Sequence, residues 1–291
     1  MSFLQYLING ISLGSVYAII ALGYTMVYGI AKMLNFAHGD VIMVGAYVIF
    51  TIISTMGYPP IVGVIVAVAL CTVLGITIER IAYKPLRGAS SLAVLITAIG
   101  VSYFLQNMAL IVFGADTKSF NSIVKFGPFH LGGLVISGET LVTIVSCIII
   151  MIILTTFINK TKAGQAMLAV SEDKGAAVLM GINVNQTIAL TFAIGSGLAA
   201  IAGALLCSAY PTLSPYTGSM PGIKAFTAAV FGGIGSIPGA FVGGILLGVI
   251  EIFGKAYISS QLSDALVFAV LIIVLIVKPS GILGKNRQEK V

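Results

Sequence analysis

The side chains that most often carry chemistry are few in this chain of 291 residues, and they lie far apart. The two histidines, His38 and His130, have no second ligand at helical spacing, so we expect no metal site. The nucleotide-binding pattern GxxxxGK followed by Ser or Thr is missing. The three cysteines form an odd, scattered set inside apolar runs, which indicates helix packing rather than a disulfide framework; they are Cys71, Cys147 and Cys207. We therefore expect no catalytic residue and no cofactor bound by this chain.

Ionisable side chains inside apolar runs can indicate ion coupling in a transporter. The candidates here are Asp40, Glu79, Lys224, Glu251, Lys255 and Asp264. Each lies near the end of a predicted membrane segment, where an interfacial position is more common than a proton or ion relay. Since the sequence has neither a nucleotide site nor an evident ion-coupling site, any active transport must take its energy from another polypeptide.

The composition requires a membrane environment for these residues. Hydrophobic residues make up 58% of the chain and charged residues only 8%, against about a quarter charged in soluble domains. The stretch 175–223 is free of charge over 49 residues, and a membrane-spanning helix needs about 20 apolar residues. The runs do not alternate between apolar and polar residues, which excludes a transmembrane β-barrel. The sequence therefore predicts an all-α, polytopic helical bundle and excludes a soluble enzyme.

About eight segments are predicted to enter the membrane, within a single domain over 1–291. They are 4–30, 39–57, 61–82, 91–113, 139–158, 187–208, a broken region 222–255, and 262–278. Lys and Arg cluster at 80–87, 160–174 and 278–290, at the ends of apolar runs, as cytoplasmic loops do. Membrane topology therefore explains the net charge of +6, and the basic residues give no sign of nucleic-acid binding. The clustering predicts an external N-terminus, which we interpret as an uncleaved first span, and an external loop at 114–138.

Small residues shape two further expectations. They recur every four positions in three stripes, which predict close helix packing, chiefly within the chain: Gly10, Gly14, Ala18; Gly195, Ala199, Gly203; and Ala240, Gly244, Gly248. The broken region 222–255 contains a run of glycines between two apolar segments, the first of them short for a complete span. It is either a re-entrant helix pair lining a pathway or a tight cytoplasmic turn between two full spans.

The segment 159–185 is the longest predicted cytoplasmic insertion. Ser171 is a good N-cap residue, Glu172 and Asp173 suit the first turn of a helix, and Gly181 suits its end. These signals predict a helix of about nine residues. A helix resting on lipid headgroups would favour lysines along its polar face, and Lys174 is the lysine available in the helix. We therefore favour a helix that docks into a groove on a cytoplasmic partner.

Three segments carry a family resemblance: GYTMVYGIAKMLNFAHGD at 23–40, GQAMLAVSEDKGAAVLMGIN at 164–183, and IKAFTAAVFGGIGSIPGA at 223–240. They closely resemble segments of branched-chain amino acid ABC-transporter permeases, a family of binding-protein-dependent importers. The resemblance covers nearly the whole chain. The wider family also carries urea and short amides, so a permease or channel for those solutes is the alternative.

The resemblance implies a membrane-embedded permease subunit of an ATP-driven importer for Leu, Ile or Val in the bacterial inner (cytoplasmic) membrane. It also implies the partners: a second homologous permease subunit, two cytoplasmic ATPase subunits that use the ATP, and an external amino-acid-binding protein. The helix after Ser171 would then be the coupling helix seated on an ATPase. The residues that match the family pattern there are Glu172, Asp173, Ala176, Ala177 and Gly181.

A zwitterionic amino acid crossing a low-dielectric core needs polar partners for both of its charged ends. The candidates for this pathway are Asn35, His38 and the backbone of the glycine loop, Gly232, Gly233 and Gly235. The alternative is that Asn35 and His38 cap a break between helices while the glycines serve packing.

Overall fold

The computed structural model describes residues 2–131 and 134–284, and within them eleven α-helices form one bundle. The helices are α1 (Ser2–Ala31), α2 (His38–Phe50), α3 (Pro60–Ile78), α4 (Ser91–Phe113), α5 (Gly138–Lys160), α6 (Lys162–Glu172), α7 (Lys174–Leu179), α8 (Val184–Ala209), α9 (Ser219–Gly232), α10 (Ile237–Tyr257) and α11 (Ser263–Val277). Short π-helical and 3₁₀ turns extend α2 and α3: Thr51–Thr55, Glu79–Tyr83 and Lys84–Leu86. The basic residues between 285 and 290 lie outside the described residues.

Seven of the described helical segments are long and apolar enough to cross a membrane, which confirms the predicted polytopic all-α bundle. Helices α3, α4 and α5 expose many large apolar side chains on their outer faces, whereas α1 and α8 are largely buried. In a membrane protein the outer apolar faces contact lipid tails. Helices α1 and α8 therefore form the centre of the bundle, and the other helices surround them.

Two pairs of short antiparallel strands lie in the connections predicted to face outward. The strand β1 (Lys118–Ser119) pairs with β4 (Thr212–Leu213), and β2 (Phe129–Leu131) pairs with β3 (Leu134–Ile136). The first pair joins the 114–138 loop to the connection between α8 and α9. It therefore ties two loops that are far apart in sequence.

The predicted stripes of small residues bring helices α1 and α10 into direct backbone contact. A methyl group on Gly14 would lie 2.7 Å from the Cα atom of Ile245, and one on Gly10 would lie 2.8 Å from Cα of Val249. From the other side, a methyl group on Gly244 would lie 2.4 Å from Cα of Ala18. Such contacts let helices associate where lipid gives no hydrophobic driving force. The stripes thus pack inside the chain, as predicted.

The broken region 222–255 consists of two antiparallel helices of unequal length. Helix α9 has 14 residues, a length of roughly 21 Å at 1.5 Å per residue, which is short of the about 30 Å hydrocarbon core. Helix α10 has 21 residues and is a full span. The turn between them, 233–236, lies against the C-terminal segment, since Leu283 N–H donates to the Gly232 carbonyl at 2.9 Å.

A second irregular stretch, at 32–37, joins α1 to α2 and reaches into the bundle. Helix α2 begins at His38, and a methyl group on Gly23, in the middle of α1, would lie 2.5 Å from the His38 Nε2 atom. The chain therefore turns back along α1 by about two helical turns before α2 begins. Because Gly23 has no side chain, the His38 ring has room to lie against α1 at this position.

Buried charges join the predicted outer ends of α9, α10 and α11. Glu251 is 1% exposed, and its carboxylate accepts from Lys224 Nζ at 2.8 Å, from Lys255 Nζ at 2.6 Å and from the Tyr17 hydroxyl at 2.8 Å. Lys224 also pairs with Asp264 at 2.7 Å. Lys224 and Glu251 were expected near span ends, at the interface; both are buried, and oppositely charged partners on neighbouring helices satisfy them within the bundle.

Two other residues expected at the interface are also buried. The Asp40 carboxylate accepts from Gln106 Nε2 at 2.8 Å, and Glu79 pairs with Arg87. Gln106 lies in α4 and Arg87 follows the 3₁₀ turn. The Asp40 contact therefore connects α2 with α4, whereas the Glu79 pair is local to the turns after α3, and neither carboxylate lies in an open membrane interface.

Replacing Gly14 with Val should strongly destabilise the bundle, because the added atoms would overlap the backbone of α10. Overpacking of this kind costs about 1–3 kcal/mol or more. Gly100→Val is the matched control, since Gly100 lies in a membrane helix with open space around its missing side chain. Thermal unfolding of the purified chains in detergent should show a lower midpoint for Gly14→Val than for Gly100→Val. Equal midpoints would contradict the α1–α10 contact.

Glu251→Gln should destabilise the chain far more than Asp264→Asn. Removing the Glu251 charge leaves the buried Lys224 ammonium with one carboxylate in place of two, and breaking a buried pair typically costs about 3–5 kcal/mol. The side chain of Asp264 is 44% exposed, so water can replace its contacts. The same unfolding assay compares the two variants, and a larger drop in the unfolding midpoint for Asp264→Asn would contradict the prediction.

Candidate functional site

The segment 159–185 contains two helices, α6 and α7, where one of about nine residues was predicted, and α7 has only 6 residues. Helix α6 runs through Ser171, whose hydroxyl donates to the Leu168 carbonyl at 2.7 Å, so the prediction that Ser171 caps the next helix was wrong. The N-cap is Asp173, whose carboxylate accepts from the backbone N–H groups of Gly175 at 2.7 Å and Ala176 at 3.0 Å. Asp173 is a better N-cap for α7 than Ser171 because its negative charge also interacts favourably with the helix dipole. Glu172 is the last residue of α6.

Helix α7 has one side against the bundle and an exposed apolar end. Ala177 is 3% exposed and faces inward, whereas Ala176 is exposed. Leu179 and Met180 are 89% and 81% exposed. Gly181 follows with a φ of +80°, a conformation that suits glycine at the end of a helix. The end of α7 thus presents large apolar side chains with no cover from the described part of the chain.

Polar contacts hold α7 and the start of α8 in place. Lys174 Nζ donates to the carbonyl of Ala31, at the end of α1, at 3.2 Å. Burial, together with the nearby Arg87 guanidinium, lowers the pKa of Lys174. Arg87 also donates to the Asn185 side chain while pairing with Glu79. Helix α7 is therefore tied to the end of α1, and the start of α8 is tied to the turn after α3.

Asn35 and His38, the polar candidates for the pathway, are both buried but have separate partners. Asn35 accepts from the Tyr83 hydroxyl at 2.9 Å. The ring of His38 packs edge-on against Tyr24, with the ring centroids 4.7 Å apart. The His38 Nε2 atom has no hydrogen-bond partner within the described residues. The His38 ring is therefore enclosed by α1, and its Nε2 atom is a buried polar atom beside Gly23.

The three glycines of the α9–α10 turn have different surroundings. Gly232 and Gly233 are buried, and a methyl group on Gly233 would lie 2.4 Å from the Gly284 backbone nitrogen. Gly235 is exposed and lines a cavity of about 740 Å³. Glu172 lines the same cavity from α6. The structure thus brings one residue of each candidate set to a shared space and leaves Asn35 and His38 apart from it.

Most of the residues that line this cavity were not among the residues predicted from the sequence. They come from the end of α1, the end of α5, α6, the α9–α10 turn and the C-terminal segment, and they include Thr25, Lys32, Asn159 and Ser236. A sequence signal existed at Lys32, because helix α1 ends there without the glycine that usually follows a helix. The other lining residues become neighbours only through the tertiary fold.

Comparison with known proteins places the chain in a family. Residues 6–275 match the model of the branched-chain amino acid transport system permease component. The chain is 45% identical to the high-affinity branched-chain amino acid transport system permease protein BraD of Pseudomonas aeruginosa, covering 99% of this chain and 98% of BraD. It is also 45% identical to the corresponding permease protein LivH of Escherichia coli K12, with the same coverage.

A solved structure supports the fold alone. A chain of PsaBC from Streptococcus pneumoniae, solved in complex with a Fab, matches with a TM-score of 0.50 and 15% sequence identity, over 94% of this chain and 91% of that one. The urea and short-amide alternative gains no support from these relatives. By its near full-length match to the family model and to BraD and LivH, this chain belongs to the permease components of branched-chain amino acid transport systems.

Proposed function

We propose that the chain is the membrane-embedded permease subunit of an ATP-driven importer that carries Leu, Ile or Val across the inner membrane. The observation that carries the proposal is the 45% identity over 99% of the chain to BraD and LivH, whose names state high-affinity transport of branched-chain amino acids. The energy would come from separate ATPase subunits, because the sequence has no nucleotide-binding motif of its own.

In this proposal the ATPase docks on the end of α7. Leu179 and Met180 form an exposed apolar tip at the end of α7, and the helix before α7, α6, is more polar. Exposed apolar patches rimmed by polar residues are typical of protein–protein contacts. Ala176 and Val178 flank the tip and are also exposed.

The other coupling residues would position the tip rather than contact the ATPase. Asp173 caps α7, Gly181 ends it, and Ala177 packs against the bundle. Glu172 lies one residue before the cap, at the junction with α6. Ala177 is a poor site for a test of docking, because a carboxylate buried there would destabilise the permease itself.

The remaining partners would be an external amino-acid-binding protein and a second homologous permease subunit. The paired strands β1 and β4 give the predicted outer side an ordered surface for the binding protein. For the pathway, His38 offers a buried Nε2 atom and Asn35 a buried amide beside Tyr83. The turn at Gly232, Gly233 and Gly235 would supply backbone groups at the inner end.

Leu179→Glu should abolish ATPase binding without unfolding the permease. Because the residue is 89% exposed, folding stability should change by no more than about 0.5 kcal/mol. In a docked complex the carboxylate would lose water without gaining a partner, at a cost of a few kcal/mol, about a hundredfold in affinity. Pull-down of co-expressed ATPase subunits and uptake of radiolabelled leucine measure the effect.

Two variants serve as controls for this experiment. Leu179→Met keeps the apolar surface and should retain both ATPase binding and uptake. Lys162→Glu makes a charge change at an exposed position of α6, away from the tip, and should also retain them. Normal ATPase binding by Leu179→Glu would remove the docking assignment, whereas failure of the wild-type chain to import any branched-chain amino acid would contradict the proposed function.

A further inference from the structure

A lysine at the start of the short helix α7 reaches the central helix of the bundle. Helix α7 comprises Lys174–Leu179, and its buried residue is Ala177. The Lys174 Nζ atom donates to the backbone carbonyl of Ala31 at 3.2 Å. Ala31 is the last residue of α1. This hydrogen bond therefore connects the start of α7 to the inner end of α1.

The end of α1 leaves the Ala31 carbonyl open to such a partner. In a continuing helix, that carbonyl would accept from the N–H group four residues later, at Asn35. Lys32 instead has a φ of +58°, and residues 32–35 have no regular structure. The last carbonyls of a helix carry the negative end of its dipole, where a cation is favourable. The Lys174 ammonium group therefore lies where a positive charge interacts best with α1.

Stability alone does not explain a lysine at this position. Burial, together with the positive charge of the nearby Arg87 guanidinium, lowers the pKa of Lys174. Arg87 is itself held in place by Glu79 and by the side chain of Asn185. A neutral side chain would avoid the repulsion between the two cations. The contribution of the lysine therefore comes from its contact with α1.

A displacement of α1 would reach much of the membrane-embedded bundle. Helix α1 packs on α10 through backbone contacts at Gly14 and Gly244, and it also contacts α5, α8 and α9. Because packed helices resist overlap, a movement at the inner end of α1 is transmitted to these neighbours. The path along the chain from α7 leads first through α6 to α5. The hydrogen bond of Lys174 offers a direct path to the centre.

We propose that Lys174 is a positioning residue of the importer, which transmits the movement of α7 to the central helix α1 through the Ala31 carbonyl. The proposal rests on the proposed function, because it takes the ATPase to dock on the tip of α7. It assigns different roles to the two ends of this helix. Leu179 and Met180 contact the ATPase, and Lys174 engages the membrane helices.

Loss of the lysine should separate ATP hydrolysis from transport. The apolar tip lies at the other end of α7 and keeps its exposed side chains, so ATPase subunits should still bind and hydrolyse ATP. Helix α1 would then follow the movement of α7 less closely, and less leucine would cross per cycle. A misfolded permease would instead lose ATPase binding, hydrolysis and uptake together. The number of ATP molecules hydrolysed per leucine imported therefore distinguishes transmission from a merely structural role.

Lys174→Met tests the proposal in the complete importer, reconstituted in proteoliposomes with its ATPase subunits and binding protein. Methionine keeps most of the aliphatic stem and removes the ammonium donor. ATPase pull-down and the rate of ATP hydrolysis should stay within about twofold of the wild type. Uptake of radiolabelled leucine should fall about tenfold, the scale expected for losing one hydrogen bond from a charged group. The ATP-to-leucine ratio should rise by the same factor.

Two variants serve as controls for this experiment. Lys174→Arg keeps a long cationic donor and should restore most of the uptake and the wild-type ATP-to-leucine ratio. Lys162→Met makes the same change at an exposed lysine of α6 and should behave as the wild type does. Wild-type uptake by Lys174→Met, or a loss of ATPase binding in proportion to its loss of uptake, would overturn the proposal.

Hydrogen exchange of the purified permease in detergent tests the contact without transport. Exchange of the backbone N–H groups of α7 should be faster in Lys174→Met than in the wild type and in Lys162→Met, because α7 has lost its bond to α1. Equal exchange in all three chains would overturn the proposal. If the wild type imports no branched-chain amino acid, the proposed function fails, and the exchange rates still decide whether Lys174 connects α7 to α1.

Discussion

Backbone contact between α1 and α10 is the constraint on which the other elements of the bundle depend. In lipid, two helices gain little by hiding apolar side chains from each other, so close approach of their backbones must hold them together. Gly14 and Gly244 allow that approach, and Gly29 meets Gly235 at the inner end of the same pair. Because α10 packs so closely on it, α1 has its remaining surface free for α5, α8 and α9. Two residues of this enclosed central helix therefore shape the inner part of the bundle. Thr25 lines the inner cavity, and Gly23 leaves room for the side chain of His38.

The buried charges solve a different problem, which is how to hold the short helix α9. Helix α9 has 14 residues, and most of its buried residues are small. Lys224 near its start reaches Glu251 of α10 and Asp264 of α11, and the Tyr17 hydroxyl completes the coordination of Glu251 from α1. Burying charges is costly, but opposite charges in direct contact offset much of the cost and define one arrangement of four helices. The ion pairs therefore add specificity to the position of α9.

Much of the fold could be predicted from the sequence, and the failures have local causes. Long apolar runs and stripes of small residues depend on one helix at a time, so they predicted the spans and close packing within the chain, but not that α1 and α10 are the helices that meet. The start of α7 was misplaced because Ser171 and Asp173 are both good caps, and the continuation of α6 through Ser171 depends on tertiary packing of Met167 and Val170. The inward return at 32–37, the ion pairs of Glu251 and the cavity depend on residues far apart in sequence. No periodic pattern reports such neighbours.

The construction of α6 and α7 indicates how an ATPase docked at α7, as proposed above, would act on the membrane helices. Thr161 and Asp173 are single extended residues, and each caps the helix that follows it, so α6 is a rigid rod between two short joints. The first joint has little freedom, because a methyl group on Gly164 would lie 2.3 Å from the Phe157 carbonyl of α5. Helix α6 therefore moves with the end of α5, and a force on α7 reaches α5 through α6. In the proposed function, the pull of an ATPase on the tip of α7 would thus be transmitted to α5, a membrane-spanning helix that also packs against the central helix α1.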